Sequence, residues 1–230
     1  MDNFLPYSSE FGFFLNIPRF RESALLALPY GHHSRPSPAL LTTVYLWGVH
    51  LSRSQSLMAH ENTVLSRALQ QTANALSGIH PHRVIHCYQA EILLSYYFFS
   101  NGRFLEGKYH VTSAVSLAVS SGLHKIRSAQ PTPTVGHVVS PLQRPRDVIE
   151  EGERIHGCWT GVILDKCWAV ALGTVPNMIC PTEMVGAQLD TPWPLEMREY
   201  EQVTNHCKSI NTFLTWHGTR VNCPPICGPA

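Results

Sequence analysis

Apolar residues recur along most of this chain at steps of three and four, and no stretch alternates convincingly at every second position. The first period places side chains on one face of a helix and the second would belong to a strand. The pattern predicts an all-α domain of packed antiparallel helices. Pro18 suits the first turn of a short helix reaching about Leu28, and Pro29, Gly31 and Pro36 then make a loop. Ser37 followed by Pro38 reads as an N-cap with proline in the first turn. The helix it opens runs to about Leu51. Leu40, Leu41, Val44, Tyr45, Trp47 and Val49 occupy most of its faces, which predicts deep burial. A third helix is expected over about 58–77, carried by Val64, Leu65, Ala68, Leu69, Thr72, Ala75 and Leu76, with Gly78 as its C′ residue.

The clearest pair follows. His82 to Phe99 carries Val84, Ile85, Tyr88, Ile92, Leu93, Tyr96 and Phe99 at helical spacing. Asn101-Gly102 breaks the chain, and a helix resumes from Arg103 to Ser121, closed by Gly122. Two helices joined by so short a turn predict an antiparallel hairpin, and Gly107, Ala114 and Ala118 are small enough to let it pack closely. Residues 128–146 have no period and read as a proline-rich loop. Asp147 then caps a long helix to about Leu172. Glu150 stands at the capping-box position, and Gly173 and Pro176 end the helix. Residues 174–200 read as extended and punctuated by proline.

Composition narrows the function classes. Charged residues make up 14% of 230 and the net charge is +1, so the basic stripe of a nucleic-acid-binding surface is missing. No run of 18 apolar residues predicts a membrane span. The N-terminal segment has Asp2 where a signal peptide would be basic, and Pro6, Ser8, Ser9 and Glu10 break its apolar run. Seven cysteines at irregular spacing do not make a disulfide framework. Cys87, Cys158 and Cys167 lie in apolar helical patterns and read as reduced core cysteines.

Candidate chemistry is sparse. His82 and His86 share a helix face with His80 nearby, but no third and fourth metal ligand is indicated, so surface histidines are the reading. Cys207, Cys223 and Cys227 with His206 and His217 match no common zinc spacing. Neither a phosphate loop, an HExxH pair nor a nucleophile elbow occurs, which points away from an enzyme. Phe98, Phe99, Arg103 and Phe104 read as core rather than as the wall of a cleft. Arg154 and Asp165 are eleven residues apart, about 16 Å along one helix face, so each is expected to meet a partner on a neighbouring helix.

The ordered runs FLPYSSEFGFFLNIPRF, RPSPALLTTVYLWGVHLS and HPHRVIHCYQAEILLSYYFFSNGRFLEGKYH, then EEGERIHGCWTGVILDKCWAVALGTVPNMI and LDTPWP, resemble the fungal-specific transcription factor domain. This is the middle homology region of fungal binuclear zinc-cluster activators, in a version similar to that of mushroom-forming fungi. The family's later signature falls here on Arg154, Trp159, Asp165, Lys166, Gly173 and Pro176, with Asp190 and Pro192 beyond. The resemblance covers about residues 4–202 and leaves 203–230 as a divergent tail, expected to be poorly ordered. It implies a nuclear, non-catalytic regulator that works with transcription machinery or co-regulator proteins, and in some members responds to metabolites. It also implies that zinc and DNA contact belong to a six-cysteine cluster. These 230 residues contain no such CxxC-rich cluster, so a truncated domain without its own cofactor is expected. A tetratricopeptide-like scaffold is the alternative, but the hairpin pattern at 82–122 has no second copy.

Overall fold

A computed structural model describes residues 1–127, 142–177 and 189–203. These residues hold no strand, and their α-helices include α1 (Ile17–Ala24), α2 (Pro38–His50), α3 (Gln55–Met58), α4 (Glu61–Ala73), α5 (Arg83–Ser100), α6 (Phe104–Ser120) and α7 (Val148–Ala171). Residues 197–203 are also helical. The all-α class is therefore as the periodicity requires. Residues 128–141, most of the segment after Asn177 and the tail from 204 onward lie outside the described residues, with Cys180, Cys207, Cys223, Cys227, His206 and His217.

The centre is the hairpin of α5 and α6. Gly102, at φ +70°, closes α5. Its N–H donates to Phe99 O while that of Arg103 donates to Phe98 O, the paired bonds of a Schellman ending. Gly107 lets the two helices approach: a Cβ there would stand 2.6 Å from the Phe99 ring. Helix α2 covers one side of α5 and is buried almost all round, with Leu40, Leu41, Val44, Leu46 and Trp47 at 1% exposure or less. Helix α7 packs on α5 and α6 from the other side. There Phe99 stacks on Trp168 at 3.6 Å.

The N-terminal segment is part of this core. Residues Leu5–Phe11 form a 3₁₀ turn ended by Gly12 at φ +72°. Phe4, Phe11 and Phe13 then gather about Trp47 and each other, at centroid distances of 4.1–6.2 Å. Buried Gln89 of α5 fixes the chain there: its Oε1 accepts from Phe14 N–H at 2.8 Å and its Nε2 donates to Gly12 O at 3.0 Å.

Several expectations need correction. The helix expected over 58–77 is divided into α3, α4 and a 3₁₀ turn at Ala75–Ser77. Asn74 ends α4 by donating from Nδ2 to Gln70 O, a side-chain competition with the helix ladder. Gly78 is extended, at φ −76° and ψ 168°, and is no left-handed C′ residue. Helix α1 stops at Ala24, four residues early, and 197–200 is helical where extended chain is expected. Cys87 and Cys158 are buried and unbridged, but Cys167 is exposed. It lies on an outward stripe of α7 with Ile163 and Val170, which are 55% and 84% exposed.

Candidate functional site

Four pieces of chain line a half-open cavity of about 490 Å³. They are the start of α1, the loop 33–36, the first turns of α5, and residues 142–146 running into α7. Each is set locally. Asn16 caps α1 by accepting from Arg19 N–H, and Ser37 caps α2 just beyond the loop. Asp147 caps α7 by accepting from Glu150 N–H at 2.9 Å. The return half of the expected capping box is displaced by one residue: Glu150 Oε2 accepts from Arg146 N–H at 3.0 Å.

The walls are then tied across long sequence distances. Asn16 N–H donates to Glu153 Oε1 at 2.8 Å, and Arg19 pairs with Asp147 at 2.9–3.0 Å. His86 Nδ1 accepts from Ser37 N–H at 3.1 Å. His80 Nδ1 accepts from His82 N–H, so its Nε2 carries the proton and donates to Arg35 O at 2.9 Å. The imidazoles of His80, His82 and His86 thus come within 5.2–6.0 Å of one another. They are not surface histidines. His80 is 9% exposed and His86 and His82 line the cavity. Burial lowers all three affinities for a proton, and for His82 and His86 the neighbouring Arg146 adds to the effect. Among the described residues no group of three His, Cys, Asp or Glu side chains is arranged to hold a metal ion.

Arginine dominates the polar lining: Arg19, Arg35, Arg144, Arg146 and Arg154 all reach it. Glu150 is shared, accepting from Arg146 Nε and Arg154 Nη2, both at 2.8 Å. Arg154 is 7% exposed, and its remaining Nη1 donates to Gln143 O. Its Nε, and that of Arg35, are buried and have no hydrogen-bond partner among the described residues. Glu153 is the other acidic group. Desolvation pushes its carboxyl up to about 7, against the pull of Asn16 N–H and Arg19.

The other residues singled out in the sequence stand elsewhere. Asp165 is fully buried near the far end of α7 and does not meet Arg154. Its Oδ1 accepts from Asn177 N–H at 3.0 Å and from Asn177 Nδ2 at 2.7 Å, with Lys108 Nζ at 3.8 Å. Gly173, at φ +61°, ends α7, and Pro176 lies in the turn that Asp165 holds. Lys166 is exposed. Trp159 donates from Nε1 to Pro192 O at 2.7 Å and stacks on Trp193 at 4.0 Å, docking the LDTPWP segment. Asp190 N–H donates to His124 O in the same segment. Phe98 and Phe99 are core residues, with Arg103 over the Phe98 ring at 4.5 Å.

Compared with known families, residues 2–213 match the fungal specific transcription factor domain. The chain belongs to this family. No curated protein and no solved structure matches it significantly. As a fungal transcription factor domain, the chain has a helical core in which Asp165, Gly173 and Trp159 shape the end and flank of α7, while Arg154 enters the cavity. Sequence reading missed Arg35, Arg144, Arg146 and Glu153 as members of that cavity. Arg35-Pro36 and Arg144-Pro145-Arg146 sit in the two proline-marked loops beside it, which was the available signal. Among the described residues, no helix is long and apolar enough to cross a membrane.

Proposed function

We propose that this chain is the regulatory domain of a zinc-cluster transcription factor that acts in the nucleus on RNA polymerase II transcription. Catalysis is no part of the reading. DNA contact belongs to a zinc cluster outside these residues, and the partners are co-regulators or transcription machinery. The family match over residues 2–213 carries this reading. The cavity supports a mechanism for it. Its walls come from α1, α5 and α7, so an occupant that prefers one packing of those helices shifts the population of that packing.

The test is a tethered reporter. Residues 1–230 are fused to a heterologous DNA-binding domain and expressed in a fungal host beside a reporter with matching sites. The expected outcome is a change in reporter output, of either sign, which the core variant Gly161→Ala abolishes. Output identical to that of the DNA-binding domain alone overturns the reading.

A further inference from the structure

The cavity carries more positive charge than its own carboxylates offset. Arg19 is taken by Asp147, while Arg146 and Arg154 share the single carboxylate of Glu150. Arg35 spends its two terminal nitrogens on the carbonyls of Leu28 and Ala24, and it forms no ion pair among the described residues. Arg144 is exposed and also has no carboxylate partner there. Arg35 Nε from the loop and Arg154 Nε from α7, on two side chains that line the cavity, have no hydrogen-bond partner among the described residues. An unsatisfied buried N–H on a cation is costly, and a charged acceptor is the group that relieves it best. Leu15, Phe20, Ile85 and Leu142 supply an apolar side to the same space. A volume of about 490 Å³ suits a small molecule and excludes a peptide helix.

We propose that this cavity binds a small organic oxyanion with an apolar body. Its charged head is held by Arg35, Arg144 and Arg154, and its body lies against Phe20, Ile85 and Leu142. The proposal deepens the regulatory reading by naming the chemical class of the effector. Glu153, near neutrality in this setting, offers such a head little repulsion at the lower end of the physiological pH range. His86, which lines the cavity and accepts from Ser37 N–H at Nδ1, keeps its proton on Nε2, a donor that adds no charge.

Calorimetry on the full 230-residue chain, at fixed ionic strength, tests the proposal without the reporter. The probes are hexanoate, phenyl phosphate, hexanamide and inorganic phosphate. Saturable binding of hexanoate or phenyl phosphate is expected, with hexanamide about tenfold weaker or more. The tighter of the two oxyanions identifies the head group. Inorganic phosphate, which lacks the body, is expected to bind more weakly than phenyl phosphate. Arg144→Gln, at an exposed position, is expected to lower affinity about tenfold while leaving the thermal midpoint of the free protein unchanged. Three results overturn the proposal: equal binding of hexanoate and hexanamide, no saturation by either oxyanion below about 10 mM, or unchanged affinity in Arg144→Gln. A silent reporter with intact binding counts against the regulatory reading alone.

Discussion

Glu153 is where the chemistry of single residues is most open to test. Its carboxyl titrates near 7 in the folded chain and close to its ordinary value when unfolded, because burial disfavours the charged form. The folded state therefore holds the proton more tightly, and stability falls as pH rises between about 4.5 and 7. The lowered histidines act in the opposite sense, since each folded imidazole gives up its proton earlier. Their share of stability grows as pH rises towards 6.5, so the wild-type profile alone does not isolate Glu153. Glu153→Gln keeps the acceptor for Asn16 N–H and removes the charge. Urea unfolding from pH 5 to 8 should show this variant gaining on wild type as pH rises, by up to about 3 kcal/mol at pH 7.5 and less where water reaches the carboxylate. A constant difference across that range would mean that Glu153 is ionised in both states. None of this was legible in the sequence. In the sequence Glu153 stands with Glu150 and Glu151 near the start of a helix, and only the docking of Asn16 onto it reveals the desolvation.

Among elements, α5 meets α7 at one turn with no room to spare. Gly157 and Gly161 stand one turn apart on α7, and Tyr88 of α5 reaches between them to donate to Gly157 O at 2.8 Å. A Cβ at Gly161 would lie 2.1 Å from the Tyr88 hydroxyl, which is wholly buried and has nowhere to go. Gly161→Ala is expected to destabilise the domain by about 2–4 kcal/mol in denaturant unfolding. Tyr88→Phe alone should cost about 1–2 kcal/mol. Combined, the two should cost less than their sum, because removing the hydroxyl makes room for the methyl. Strict additivity would place the strain elsewhere. The start of α7 gives a second element-scale test. Asp147→Ala removes the cap and the ion pair to Arg19 and should cost about 1–2 kcal/mol, while Asp147→Asn should recover most of it by capping alone. The cap was readable from Asp147 and Glu150. The glycine pair was not: GCWTG within an apolar run looks like a local weakness of the helix until Tyr88 is seen lying across it.

Taken as a whole, the molecule was legible in its helices and less so in its joints. Period and caps located the hairpin at 82–122 and the long helix after Asp147, because these depend on neighbours in sequence. The break at Ala59–His60 was hidden. There Glu61 is claimed by His50 Nδ1 at 2.7 Å and by Tyr97 at 2.8 Å, partners that a local reading does not see. The cavity was hidden for the same reason. Its walls are joined by Asn16 to Glu153, 137 residues apart, and by Arg19 to Asp147, 128 apart.

Those separations have a kinetic meaning. The hairpin contacts are local and form early, whereas a pocket closed by parts of the chain 128–137 residues apart can be completed only late in folding, after α7 has been made. An occupant of that pocket meets a nearly native molecule. It should slow unfolding in proportion to its affinity and leave the folding rate unchanged. In the cell, the same late step would let a metabolite lengthen the life of finished protein without hastening its production.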